Sequence, residues 1–473
     1  MIQYLQLLKK IKESGIDKQN RTGVDTRFLP GQSLKFNLKK NFPLITTKKV
    51  SFYSVVSELF WFWTASRNEK YLRKKLGTSI WKGDAYSKRW LLQADFPGDV
   101  GRIYGVQWRK FLSSEGESID QVARVLNGLE YAPLSRRHII EGWNPGELHK
   151  MALPPCHNTY QYIRDGKGGL HLVMGQRSAD MFLGVPFNIA SASLQLAIFA
   201  QIHNLEAKTL TIDLGDAHIY HNHFKAVEKQ LSRQPRDKPK LKLSPEITKE
   251  FLINLKDNQS LTEDKLKELV TLKDYNPHPP IRAPLNTGEE PTVEMIVAKD
   301  QNGLIGFNGS RPWPYIRKDM KRFVQITKGK PIIVGRKTFE NDIPEPLKDR
   351  KNIILTNQED YKPANPNGEK VVVVNSPLEA FDEAVKNSET FTVIGGAQIY
   401  REFLKITDVI YETIIEDRFK EQKDSRRKVH FPDINKGKWM KNVNWTEMES
   451  KTHDKTEEGF DLTFRTLKSE RHP

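Results

Sequence analysis

Cys156 is the only cysteine in the chain and stands in the run ALPPCHNTYQ. Pro154 and Pro155 fix the backbone before it, and His157 follows. A lone buried thiol is commonly inert. A thiolate, by contrast, is a strong nucleophile, and nearby cations lower a thiol's pKa. Candidate cations are Arg136 and Arg137 in the run SRR, and Arg177 in QRSADMFLGVPFN. Arginine also presents a planar fork of donors matched to phosphate oxygens. Each arginine alone is commonly a surface or ion-pair residue, and the residues leave two readings of Cys156, an inert buried thiol or a nucleophile among phosphate-matching arginines. The second half carries a different signal. Gly395 and Gly396 sit between a strand run and a helical run, in VIGGAQIY. Glycines there let the backbone approach a pyrophosphate at a helix N-terminus. Arg336 follows another strand run, with Lys337 and Thr338 beside it, and its fork suits a phosphate.

These residues need elements to hold them. Ser54 to Trp63 reads as a helix apolar on more than one face, hence buried. Ile119 to Leu129 has helical spacing, and Ala190 to His203 reads as a long buried helix. Leu170 to Met174 and Thr209 to Leu214 read as strands. Later in the chain the strand runs are Pro331 to Val334, Asn352 to Leu355, Lys370 to Val374 and Phe391 to Ile394. Helical patterns at Lys318 to Ile326, Pro377 to Lys386 and Gln398 to Leu404 lie among them. That alternation predicts an α/β sheet with parallel connections. Arg418 to Lys428 is charged and reads as a solvated loop.

The strongest break is Tyr275 to Pro291, YNPHPPIRAPLNTGEEP, where prolines interrupt regular structure. A new apolar run, Val293 to Ala298, opens after it. We expect one domain over 1–286, a linker at 287–291 and a second domain over 292–473.

Composition narrows the function classes. The chain has 473 residues, 75 Lys+Arg and 59 Asp+Glu, a formal charge of +16. With 37% hydrophobic residues, disorder is not the default. One cysteine excludes an internal disulfide and any cysteine-rich metal site, and no metal is expected. The basic residues are spread out, with no nucleic-acid motif, so anionic small substrates account for the charge better than nucleic acid. No continuous apolar run approaches the roughly 18 residues of a membrane span. No signal peptide is visible, and the reading is a soluble cytoplasmic protein that binds no membrane.

The motifs of the first region resemble thymidylate synthase. They run in the family's order: Arg21-Thr22-Gly23, Glu58 to Phe62, Ile80-Trp81, Gly98 to Trp108, Ser135 to Arg137, Pro155 to His157, Gln176 to Asn188, Gly215 to His223 and Tyr275 to Pro279. The resemblance implies an α+β domain with a large mixed sheet that methylates dUMP with 5,10-methylenetetrahydrofolate. It makes Cys156 the nucleophile at carbon 6 of the uracil, and Glu58 and Tyr104 the acid/base network. Arg21, Gln176, Arg177 and Ser178 become dUMP ligands, joined by Arg136 and Arg137 from the partner subunit of a homodimer. Asn188 reads the uracil edge, and His218 and Tyr220 hold the ribose. Asp180 binds the pterin and Trp81 packs beside the folate.

Three features depart from the pattern. Gly175 stands where an aromatic residue is usual. KGDAYSKRW follows Trp81, where an acid usually comes at once. The family's tail closes the site with a free carboxylate, whereas Arg282 to Asn286 continues into the next domain. Imperfect closure would let water capture the methylene intermediate, which makes a dUMP hydroxymethylase fused to a reductase the alternative.

The second region resembles dihydrofolate reductase, through Gly303 to Gly306, Pro312-Trp313, Asp319, Val334 to Thr338, Arg350 to Thr356 and Val393 to Tyr400. This implies a doubly wound α/β domain reducing dihydrofolate with NADPH. Asp319 is the carboxylate at the pterin; Phe323, Arg350 and Thr413 complete the folate site. Ala298, Gly306, Arg336, Lys337, Thr338, Gly395 and Gly396 line the NADPH site. Arg311 replaces the usual apolar residue before Pro312. The pairing is coherent, because methylation of dUMP yields dihydrofolate and the reductase consumes it. Hydroxymethylation would yield tetrahydrofolate and need no reductase.

Overall fold

The computed structural model describes residues 1–39, 41–343, 345–363, 371–417, 419 and 428–471. It divides into two compact units. The first holds residues 1–85 and 98–289; the second holds 86–97 and 290–473. The second unit thus takes a stretch from within the first region's sequence, which differs from the contiguous division expected above. The break between the units falls at Glu289 and Glu290, inside the proline-rich run.

The first unit is built on a six-stranded mixed sheet. It runs from Ile16–Lys18 through Thr26–Asn37, Glu206–Tyr220, Gly169–Asp180 and His157–Arg164 to Ile139–Glu141. Only the Gly169–Asp180 and Glu206–Tyr220 pair is parallel. The Gly184–Ile202 helix packs on those two strands and on the Phe52–Trp63 helix. Leu194, Leu196, Ile198 and Phe199 are fully buried, and so are Leu59, Phe60, Trp61 and Trp63. Both helices are apolar on more than one face because neighbours enclose them, as the sequence pattern requires. Gly184–Ile202 also meets the length and composition test for a membrane span, against the expectation drawn from continuous apolar runs. Its most apolar window is 67% buried inside the unit, so its apolar side chains are spent on the core.

The second unit has an eight-stranded sheet. Its order is Val371–Val374, Asn352–Leu355, Ile332–Gly335, Thr390–Gly395, Thr292–Asp300, Val409–Ile415, Leu462–Arg471 and Val443–His453. The first six strands are parallel and the last two join antiparallel. Alternation along each strand sorts two cores. Met295, Ile333, Ile353 and Val393 pack on one side with Phe381 and Phe403 from the helices Pro377–Val385 and Ala397–Phe403. Ile296, Ile332, Ile354 and Ile394 pack on the other with Phe323 and Phe339 from Arg317–Thr327 and Arg336–Asp342. Helices on both faces of a parallel sheet are the doubly wound arrangement.

The helices expected at Lys318, Pro377 and Gln398 lie within a residue of the observed ones. The helix expected at Ile119 starts later, at Gln121, because the Asp120 side chain caps it by accepting from the Ala123 N–H. Most of the charged run 418–428 lies outside the described residues, and Lys428 itself opens a short strand. Lys370 also lies outside them.

Candidate active sites

Cys156 ends the loop that leads into the His157–Arg164 strand. Its backbone N–H donates to the Tyr104 hydroxyl at 2.7 Å, and its carbonyl accepts from the Arg177 N–H at 2.8 Å. The Arg177 guanidinium donates to the carbonyls of Pro155 (2.8 Å) and Pro154 (3.0 Å). Arg177 therefore clamps the loop that presents the thiol, and its ring-facing side lies 5.0 Å from the Trp143 ring centre. Burial raises the thiol above its ordinary value and outweighs the charge of Arg177, the Tyr104 hydroxyl and Arg21, which pull it down. The expectation of a cation-lowered thiol thus holds for the direction of the Arg177 influence but not for the balance. Arg136 and Arg137 are exposed just before the Ile139–Glu141 strand.

Behind the thiol lies an aromatic block. The rings of Tyr104 and His157 stack at 4.2 Å, and Phe62 packs on Tyr104 and Trp81. Trp81 donates its indole N–H to Glu58 at 2.7 Å. Burial pushes the Glu58 carboxyl up to about 7, with the Trp81 bond opposing the shift. A carboxyl poised there can both give and take a proton at neutral pH. His157 is held neutral, since burial takes its pKa down to about 3. It contacts the Tyr160 hydroxyl at 2.5 Å and lacks the imidazolium proton that a general acid would give.

The Gln176 side chain donates to Asn188 Oδ1 at 3.0 Å. This fixes the Asn188 amide, whose N–H groups remain as donors. The Gln176 Oε1 is buried without a protein partner, so an acceptor is left for a ligand. Ser178 is half-buried on the same strand, Gly169–Asp180. Asp180 Oδ1 accepts from the Phe182 and Leu183 N–H groups, at 3.0 and 3.1 Å. His218 is held by Asp216 at 3.0 Å, and its ring meets Tyr220. Arg21 and Cys156 both act electrostatically on Tyr220, which brings these three into one region.

Sequence reasoning missed Asp84. It follows Trp81 by three residues, lies in the short Lys82–Ala85 helix, and faces Cys156 and Arg21. Burial pushes its carboxyl up to about 6. The departure at KGDAYSKRW, which carries this acid three residues after Trp81, was the signal.

The second unit contains a cavity of about 1050 Å³. It opens at the carboxyl ends of the parallel strands, where doubly wound sheets bind ligands. Ala298, Gly306, Asp319, Phe323, Arg336, Lys337, Thr338, Gly395 and Gly396 all line it. Arg350 and Thr413 do not. Arg350 sits 6.0 Å from the Phe323 ring centre, and Thr413 is buried and hydrogen-bonded to Asp319. Burial raises the Asp319 carboxyl, while Thr413, Arg311 and Arg322 oppose it. Arg311 lines the cavity and pairs with Asp342 at 3.5 Å. Arg336 pairs with Glu340 one turn along its helix, at 3.1 Å. Leu92, from the 86–97 stretch, was not expected on the cavity wall but lines it.

The glycine pair has a steric reason. A Cβ on Gly396 would come within 2.9 Å of Thr338 Oγ1, and one on Gly395, at φ +119°, within 2.9 Å of the Tyr400 hydroxyl. The backbone is left bare beside the cavity and the Ala397–Phe403 helix, which a dinucleotide pyrophosphate requires.

Two family models match the chain. The thymidylate synthase family model matches residues 2–287, and the dihydrofolate reductase family model matches residues 292–469. The chain belongs to both families, synthase first and reductase second. It is a bifunctional enzyme that makes dTMP from dUMP with 5,10-methylenetetrahydrofolate and reduces the dihydrofolate product with NADPH. The bare glycine pair, the cavity volume and the basic Arg336–Lys337 edge fit NADPH, which supplies hydride to the pterin when bound.

Proposed function

We propose that Cys156 attacks carbon 6 of dUMP. The ring then becomes an enolate whose carbon 5 can attack the methylene group carried by the folate. The observation that carries this is the hold on one thiol: Tyr104 bonds the Cys156 N–H, and Arg177 bonds the Cys156 carbonyl through its N–H and the Pro154 and Pro155 carbonyls through its side chain. Arg21, Arg177 and Ser178 receive the phosphate, with Arg136 and Arg137 completing it across a homodimer. Their exposure in a single chain agrees with that role. Asn188, held by Gln176, reads the uracil edge as a donor. An acid there would meet a cytosine better, so an amide selects dUMP. Glu58 carries the protons, with Tyr104 beside it, and Trp81 and Asp180 seat the folate.

In the reductase, Asp319 and Thr413 hold the pterin, Phe323 lies against it and Arg350 takes a folate carboxylate. Arg336, Lys337 and Thr338 meet the cofactor's 2′-phosphate, and Ala298, Gly306, Gly395 and Gly396 leave room for its backbone approach. We place the enzyme in the cytoplasm, with no membrane or nucleic-acid partner.

A mass measurement tests the thiol's role. A dUMP analogue with fluorine at carbon 5 cannot lose its substituent as a proton. With methylenetetrahydrofolate it should add covalently to the intact chain, and Cys156→Ser should abolish the added mass. Addition that survives in Cys156→Ser contradicts the assignment.

A further inference from the structure

Arg322 stands three residues after Asp319, so the two share one face of the Arg317–Thr327 helix. It is not among the residues lining the cavity. One terminal nitrogen of its guanidinium donates to the Glu412 carbonyl at 2.5 Å and to Thr413 Oγ1 at 3.3 Å. The other donates to the Arg465 carbonyl at 3.1 Å. The group also lies 4.6 Å from the Phe464 ring centre. Two neighbouring strands, Val409–Ile415 and Leu462–Arg471, thereby fix it in place.

Thr413 is the link to the site. A hydroxyl has one proton and can accept as well as donate. When its oxygen receives an arginine N–H, its own proton stays available for another acceptor. Thr413 bonds the Asp319 side chain, so that proton points at the carboxylate.

We propose that Arg322 is a positioning residue of the reductase, acting through Thr413 to hold the Asp319 carboxylate as an acceptor facing the pterin. The inference rests on Asp319 being the pterin ligand. The Glu412 side chain also acts on the Arg322 charge, although Lys299 and Arg465 already pair with it. The other groups facing Arg322 are Glu449 on the Val443–His453 strand, Tyr411 on the Val409–Ile415 strand, and His453. Facing Asp319 are Arg311, Thr413 and the Tyr400 hydroxyl.

Loss of Arg322 removes both a cation and the restraint on the hydroxyl, and each loss raises the Asp319 carboxyl. The test is single-turnover hydride transfer from NADPH to dihydrofolate in the full chain, followed against pH. Transfer needs a proton at nitrogen 5, so the rate falls as pH rises through the controlling group. In Arg322→Gln that midpoint should move up by about one pH unit, the low end for removing a charge at close range. Arg322→Lys, which keeps the charge, should recover part of the shift. Arg322→Gln combined with Thr413→Val should shift it by less than the sum of the two single changes, since both act on one bond. An unmoved midpoint in Arg322→Gln, with the rate lowered equally at every pH, would overturn the proposal and leave a structural role. Additive shifts would overturn the relay through Thr413. Asp319→Asn run alongside separates the two levels. If it transfers hydride as well as wild type, the assignment of Asp319 fails, and this inference with it.

Discussion

Asn286 and Asn222 exchange both of their amide hydrogen bonds, at 2.8 and 3.1 Å. Beside them the Pro284 carbonyl meets His223 at 2.8 Å. Asn222 and His223 close the Gly215 to His223 motif that also supplies His218 and Tyr220. The end of the synthase domain is therefore docked beside the motif proposed to hold the ribose, although it carries no free carboxylate.

The docked tail leads to a first prediction. Asn286→Ala removes both bonds to Asn222 and the 3.2 Å contact with His223. At about 1 kcal/mol for each of the two paired bonds, closure should loosen and thymidylate formation should fall by about thirtyfold. Proton exchange at carbon 5 of dUMP, followed by tritium release, should fall less than product formation. Equal loss of both would show that the tail has no part in retaining the methylene intermediate.

Glu58 sets a pH dependence. Its carboxyl is raised to about 7, so it is mostly protonated below that pH and mostly ionised above it. Synthase turnover should bend near pH 7. The Trp81 indole N–H favours the ionised form, so Trp81→Phe should move the bend to higher pH. A bend that stays in place in Trp81→Phe would mean that another group controls it. Glu58→Gln should lose the bend and about a hundredfold or more in rate.

Gly396→Ala puts a methyl group within 2.9 Å of Thr338 Oγ1. The neighbouring Thr338 side chain or the backbone must yield. The expected result is an NADPH KM raised tenfold or more, with thymidylate formation unchanged when dihydrofolate is not recycled. Thr338→Ala in the same chain should not restore full affinity, because it removes a proposed cofactor contact. An unchanged KM for NADPH would place the pyrophosphate elsewhere.

Much of this was legible in sequence because chemistry clusters in short runs. Cys156 with its two prolines, the Gln176 to Asn188 run and the glycine pair each carry their residues within a few positions. The alternation of strands and helices after Val293 predicted the parallel sheet, since every buried strand there is a short apolar run. What stayed hidden depends on contacts distant in sequence. Asp84 acts on Cys156 across more than one element, and its run KGDAYSKRW signals a departure without saying what the acid meets. The balance at the thiol, where burial outweighs Arg177, needs the three-dimensional surroundings. Arg322 reads as one more base on a charged helix until its fork is seen on the carbonyls of Glu412 and Arg465. The assignment of residues 86–97 to the second unit is likewise invisible to a reading that follows chain order.

The central claim is that one chain makes thymidylate and recycles the folate it oxidises. The most direct measurement incubates the enzyme with dUMP, methylenetetrahydrofolate and NADPH, identifies the nucleotide by mass, and counts NADPH consumed. One NADPH should be used for each dTMP formed. Cys156→Ser should make neither change until dihydrofolate is added, and Asp319→Asn should make dTMP with little NADPH consumed. Hydroxymethyl-dUMP as the main product, with NADPH untouched, would contradict the account.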